Sequence, residues 1–302
     1  MPFDLSVTQA ALQVNPNRFS SVEPLSPQAA QARARHLLEV GLSPHLERTL
    51  DLLLSAGALP QYHLPVDGRT LRNYHKRRLL DRLPYISNDI RTAFTHYGLP
   101  APDGAAPMLV YTLGPVGIEI VRERHGFPPA GGYLNMTLER VMHDLAINEV
   151  IFHIARIAMA KGWTPLWLSK YEATLWKDNQ AVLEPDAMLR LKKEDQEYVY
   201  LFEYHNENKS TRAVEKVLRY QTIYLGKDWA NRWEVERFPP VLVIYRNPLV
   251  VQGYHQTLQT YRHDVPFYGK WLSNLFGDNM NEWYDLQHKQ SGQKTTLFTW
   301  NV

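Results

Sequence analysis

The most constraining stretch of this chain runs over residues 137–245. It opens with a helical segment, 137–161, whose apolar residues, Leu145, Ile147, Val150, Ile151, Ile154, Ile157 and Ala158 among them, fall on more than one face. A helix that is apolar on several sides must be covered on several sides, so it belongs to an interior layer. Thr137 is its expected N-cap and Gly162 its stop. Two strand-like segments follow, 186–191 (DAMLRL) and 197–205 (EYVYLFEYH), joined by the charged turn KKEDQ and predicted as a hairpin. Then come an amphipathic helix over 210–225, with Val214, Val217, Leu218 and Ile223 as its apolar positions, and the apolar VLVIY of a buried strand. The last 50 residues are rich in aromatics, from Tyr254 and Tyr261 to Phe298 and Trp300, and are expected to form a helical cap with a final strand. The class predicted is α/β (α+β).

Acids recur at telling places in that frame. Glu149 sits in the middle of the buried helix, Glu172 just before the hairpin, Asp186 after Pro185 at the start of one strand, and Glu203 on the partner strand. Hard oxygen ligands converging from adjacent strands are what a Mg²⁺ or Mn²⁺ site requires, and such an ion activates water and stabilises charge on a scissile phosphate. The plainer alternative stays open: acids are common at strand ends, and Glu149 could pair with Arg156, seven residues along the helix. Histidines offer a rival ligand set. His143 and His153 flank Glu149, and His205 lies two residues after Glu203, but no H-E-x-x-H spacing occurs.

The Pro/Gly cluster FPPAGGY at 127–133 is the best linker. It predicts an N-terminal arm (1–40, with one short helix near 28–40), a first domain (41–126) and a second domain (134–302). In the first domain, Ser43-Pro44 starts a Leu-rich helix that Gly57 ends, and MLVYTLG (108–114) alternates like a strand before PVGIEIVRER, a helix candidate. Between them lies RTLRNYHKRRLLDRL, residues 69–83. It reads as a helix with Leu71, Leu79, Leu80 and Leu83 as a buried stripe. A helix, a short helix, a basic helix and a strand is the order of a winged helix-turn-helix. Arg69, Arg72, Lys76, Arg77, Arg78 and Arg82 face one acid, Asp81. Such a helix suits a DNA major groove, with arginines on guanine edges or phosphates and Asn73 placed for adenine. A solvated charged face is the alternative reading.

The net charge of +2 excludes only a diffusely basic protein. Residues 1–130 hold 13 basic and 11 acidic side chains and residues 131–302 hold 20 and 20, so the basic charge is concentrated in one segment. With 44% hydrophobic and 12% aromatic residues the chain has enough apolar mass for packed cores, which excludes a disordered protein. The absence of cysteine excludes disulfides, zinc ribbons, iron–sulfur clusters and a thiolate nucleophile. No apolar run approaches the ~20 residues of a membrane helix, and the N-terminus lacks the basic and apolar regions of a signal peptide. A cytoplasmic location without membrane contact is expected.

Two groups of segments resemble the replication-relaxation family of plasmids, integrative elements and related mobile DNA. One is the basic helix leading through a wing into YTLGPVGIEIV. The other is the series TLERVMHDLAINEVIFHIAR, YEATL, LEPDAMLRL and YVYLFEYHNENKSTRAVEKVLRYQTIY. The match covers about residues 40–250. The resemblance implies a winged helix fused to a core similar to the PD-(D/E)XK restriction endonucleases. Residue by residue, Glu149 matches the helix acid, Pro185-Asp186 the PD pair, Glu203 the acid of E-x-K and Glu172 an acid before the hairpin. Lys216 and Tyr220 match the K…Y of the next helix, and His143 a histidine of the long helix. His205 stands where an active nuclease carries lysine, and Lys216 is placed to send its ammonium into the same site instead. The function expected is DNA binding, with duplex DNA as partner and a homodimer as an open alternative to a monomer. The second domain is then either a nuclease-like domain using Mg²⁺ or Mn²⁺ to nick or cut DNA, or a degenerate one in a non-catalytic replication accessory or transcriptional regulator.

Overall fold

The computed structural model describes residues 24–102, 107–206, 210–261, 263–277, 280–288 and 292–298. The rest of the expected arm (1–23), Glu207, Asn208 and Lys209 of the NENK run, and Trp300 lie outside these residues. The protein is mixed α/β with a mixed parallel and antiparallel sheet. Contacts divide it into two units: Met1–Leu53, Gly57–Ile90 and Gly104–Met136 form one, and Leu54–Ala56, Arg91–Asp103 and Thr137–Val302 the other. Among the described residues no helix is long and apolar enough to cross a membrane.

The first unit contains α1 (Pro27–Val40), α2 (Pro44–Ala56, its last turn counting with the other unit), β1 (Ala58–Pro60), α3 (Gly68–Lys76), β2 (Leu80–Arg82), β3 (Val110–Leu113) and α5 (Pro115–His125). Between β2 and β3 runs α4 (Ser87–Tyr97), where the sequence suggests only a polar connection. Both α1 and α2 begin on a Ser-Pro pair: Ser26 and Ser43 accept the N–H of Ala29 and Leu46, and each proline fills the first helical position, where no N–H is needed. The three strands are antiparallel in the order β1-β3-β2, so β3, buried at all four positions, lies in the centre. Leu50, Leu53, Leu59, Leu79, Leu80, Val116 and Ile120 are fully buried in this unit's core, each contributing about 2 kcal/mol of apolar burial.

The basic segment departs from expectation. Its helix stops at Lys76 rather than running to residue 83. Arg78 takes a left-handed backbone (φ 61°), and Leu80–Arg82 becomes a strand paired with β3, Leu80 opposite Leu113. Neither glycine nor proline marks the stop. What sets it is the demand of β3 for a second partner: the N–H groups of Gly114 and Val116 bond the carbonyls of Leu79 and Arg78.

The second unit is a three-layer α/β/α arrangement. Its elements are α6 (Leu138–Ala160), β4 (Thr164–Leu168), α7 (Lys170–Ala173), β5 (Leu175–Lys177), β6 (Gln180–Leu183), β7 (Ala187–Lys193), β8 (Gln196–His205), α8 (Thr211–Gly226), α9 (Asp228–Arg232), β9 (Val241–Tyr245), α10 (Pro248–Thr260), β10 (Phe267–Trp271), β11 (Glu282–Asp285) and β12 (Lys294–Thr296). Seven strands form one sheet in the order β12-β11-β10-β9-β8-β7-β4. The expected hairpin is β7–β8; β8, β9 and β10 run parallel, and the outer pairs are antiparallel. Thr137 caps α6 through the Arg140 N–H, in keeping with its position in the sequence. Side chains alternate along β8, so Tyr204 meets His143 of α6 on one face while Glu203 meets Tyr220 of α8 on the other. The aromatic C-terminal region corrects the expected helical cap: after α10 it adds three short strands to the sheet, with Phe267 and Trp283 fully buried. Strands of three to five residues are too short to show a clear alternation in sequence.

Candidate functional site

At one end of the large sheet the structure joins Asp186, Glu203, Lys216, Tyr220 and His143. Asp186 precedes β7, its N–H bonded to the Phe202 carbonyl, and its Oδ2 accepts the N–H of Tyr204 at 2.7 Å. His143 approaches from α6. Its Nε2 lies 3.7 Å from Asp186 Oδ2 and 3.1 Å from the Tyr204 carbonyl, and its Nδ1 lies 3.3 Å from Asp144 Oδ1. Both ring nitrogens therefore face acceptors. Burial works against its charge, but Asp186 and Asp144 outweigh burial and raise the His143 pKa. Lys170, opening α7, donates to both oxygens of Asp144 at 3.3 and 3.2 Å.

From α8, the Lys216 ammonium reaches Glu203 Oε2 at 2.5 Å, and the Tyr220 hydroxyl donates to Glu203 Oε1 at 2.7 Å. Glu203 is 1% exposed. Burial pushes its carboxyl upward, with Lys216 pulling the other way; Lys216, despite its own burial, holds its proton more firmly because Glu203 and Asp186 face it. Asp186 responds oppositely. Burial raises it, but His143 and Lys216 together bring it below the ordinary carboxylate range. Tyr220 is driven well above its usual value by burial and by the carboxylate it bonds.

The result is a chain of alternating charge: Lys170, Asp144, His143, Asp186, Lys216, Glu203. With His143 protonated, three cations balance three acids. Neither Asp144 nor Lys170 stands out in the sequence. Asp144 is merely the neighbour of His143, and Lys170 comes to it from 26 residues away, so no local spacing signals the pair.

The other expected site residues go elsewhere. Glu149 lies six residues after His143, about 240° around α6 and ~9 Å along it, and its charge acts on His153. Glu172 closes a capping box: its Oε2 accepts the Ser169 N–H and hydroxyl at 2.9 and 2.6 Å. His205 is buried on the Glu203 face of β8, with Nε2 2.8 Å from the Tyr254 hydroxyl of α10. Among the described residues no group of three or more His, Cys, Asp or Glu side chains is arranged to hold a metal ion. Asp186 and Glu203 are the carboxylates brought into mutual electrostatic range. As arranged they do not fit Mg²⁺ or Mn²⁺, because the Glu203 oxygens are engaged by a hydroxyl and an ammonium. A divalent cation there would sit against the positive charge of Lys216.

The basic segment divides in two. Arg69, Arg72, Asn73 and Lys76 are exposed on α3 at spacings of three and four, one face of the helix, while Leu71 and Tyr74 are buried behind them. Arg77, at the C-cap, is exposed beside them. Asp67 caps the helix by accepting the Thr70 N–H at 2.7 Å, which keeps its carboxyl below the ordinary range. Arg78 and Arg82, expected on the same helix, are half-buried and off it. The Arg78 guanidinium lies 3.2 Å from the buried Asp81 carboxylate, whose pKa burial raises and Arg78 opposes; its task is to neutralise that acid. No family model, curated protein or solved structure matches the chain.

Proposed function

We propose that this chain is a winged-helix DNA-binding protein of the replication-relaxation type, joined to a restriction-endonuclease-like core that works without a metal. The observation that carries the first part is the solvent-facing row Arg69, Arg72, Asn73, Lys76 and Arg77 on one side of α3, whose other side is anchored in the core. The order α2-β1-α3-β2-β3, with a central β3, supports it: in a winged helix the helix before the second strand enters the major groove and the β2–β3 connection is the wing. Here that connection contains α4, and the helix between β1 and α3 is reduced to a single 3₁₀ turn, Gln61–His63. A helix, three antiparallel strands (β4, β7, β8), a helix and a parallel strand support the endonuclease-like reading of the second unit. The metal-free reading rests on the self-neutral chain from Lys170 to Glu203.

The test of DNA docking is salt-dependent anisotropy with labelled duplex DNA. Arg72→Ala with Lys76→Ala should weaken binding and lower the log–log salt slope by about 2, one for each phosphate that is no longer neutralised. Unchanged affinity and slope would remove α3 from the interface. Cleavage of supercoiled plasmid in Mg²⁺ or Mn²⁺, abolished by Asp186→Ala, would overturn the metal-free reading and restore a hydrolytic one.

A further inference from the structure

The second unit also has a groove of about 930 Å³ that the charged chain does not use, lined by α7, the β5–β6 hairpin, α8 and α9. Two partly exposed aromatic rings stand in it, Tyr171 37% and Trp176 44% exposed. Their centroids are 5.5 Å apart and their planes 38° from parallel. Both are positioned by the protein itself. Trp176 Nε1 donates to the Tyr171 carbonyl, and Arg232 lies over the Tyr171 ring while bonding the carbonyls of Tyr171 and Thr174 at 2.7 and 3.3 Å. Leu218, 41% exposed on α8, extends the apolar floor. Charge on the lining is lopsided: Lys177, Arg219 and Arg232 against Asp228.

We propose that this groove binds single-stranded DNA. Exposed rings beside cations provide a stacking platform and an electrostatic track for the backbone. Bases stack on Trp176, while Lys177 and Arg219 reach phosphates; Arg232, tied to two carbonyls and lying over Tyr171, keeps the platform in place. Duplex DNA does not meet this requirement, since its bases are stacked on one another. An acidic peptide such as poly-glutamate would satisfy the cations but place no flat ring on Trp176. Binding in the groove is independent of α3 docking on duplex DNA.

The test uses the full chain with fluorescein-labelled dT12 and, separately, a labelled duplex. Trp176→Ala with Arg219→Ala should weaken dT12 binding at least ~10-fold, within the range for removal of one base stack, and leave duplex affinity unchanged. Trp176→Phe should retain most dT12 affinity because it keeps a ring. Arg219→Glu, an exposed change on α8, should weaken dT12 binding without lowering the melting temperature, which covers the case in which Trp176→Ala impairs folding. Arg72→Ala with Lys76→Ala should spare dT12. The proposal is overturned if dT12 affinity survives both groove changes, if it falls only with Arg72 and Lys76, or if poly-glutamate displaces dT12 at equal charge concentration. Failure of duplex binding alone would count against α3 and leave the groove standing.

Discussion

Replacing Lys216 by methionine removes the cation that touches a fully buried carboxylate. Two unit charges in direct contact attract by about 5 kcal/mol at an effective dielectric of about 20. Part of that offsets the cost of burying both groups, and breaking such a pair from one side costs about 3–5 kcal/mol. Lys216 is 19% and Glu203 1% exposed at the side chain, so solvent screens the pair little. For a unit of this size, ~4 kcal/mol corresponds to a melting temperature lower by about 10 °C, measurable by calorimetry. The sign of the pH dependence follows from Glu203, whose folded pKa is already raised by burial. Without Lys216 it rises further, so the stability contributed by protonating Glu203 is present below its unfolded value of about 4.3 and is lost as pH rises through the folded pKa. The variant should therefore lose more stability at neutral pH than at about pH 5. The double variant Glu203→Gln, Lys216→Met should recover much of the loss, because no uncompensated charge remains. A loss below ~1 kcal/mol in Lys216→Met, or a double variant worse than either single one, would refute the claim that this pair is an internal counter-ion arrangement.

Three further outcomes are expected. Arg78→Ala should cost about 3 kcal/mol by taking the guanidinium from buried Asp81 and leaving it facing His75 at 3.8 Å, seen in urea melts, while duplex DNA affinity stays within twofold; a selective loss of DNA affinity would return Arg78 to the interface. Gly117→Ala should destabilise the first unit by about 1–3 kcal/mol, because its Cβ would lie 2.1 Å from the Leu79 carbonyl oxygen; an unchanged melting temperature would contradict the close approach of α5 to the Arg78–Leu79 turn. His143 has a raised pKa, so its contribution is complete below its unfolded value of about 6.5 and is lost as pH rises through the folded one. His143→Ala should flatten the stability profile in that window, and an NMR titration placing the His143 pKa below 6.5 would refute the assignment.

Local chemistry makes much of the secondary structure readable. Ser43-Pro44 and Thr137 mark helix starts through the N–H groups they satisfy, and the alternation of EYVYLFEYH makes a strand whichever partner it finds. The 69–83 segment reads as helix past Lys76 because Leu79 and Leu80 suit a helical stripe as well as a strand, and the strand wins only because β3 lies beside them. The polar site is partly legible: Asp186, Glu203 and His143 are picked out by their places in the sequence, Lys216 and Tyr220 only by the resemblance, and the fold joins them. Glu149 groups with them in the sequence because it lies on the same helix, but a helix separates residues six apart onto different faces. Glu172 looks like a site acid, whereas the pattern Ser169-x-x-Glu172 is also that of a capping box, and the structure shows that use.

What the sequence determined by itself is set by near neighbours: that the most strongly patterned segments, 137–161, 197–205 and 210–225, are helix, strand and helix, where the helices after Ser43 and Thr137 begin, that the basic charge is concentrated near residues 69–82, and that thiol chemistry is excluded. What only the tertiary structure decided is set by contacts far apart in the chain. It split the basic run into a solvent-facing row and an arginine that neutralises a buried acid. It brought Lys170 to Asp144 and Lys216 to Glu203, and it built the Trp176 groove from a hairpin and its flanking helices. The physical reason is that a side chain's charge state and exposure depend on what packs against it from other elements, and sequence spacing specifies only the neighbours on its own.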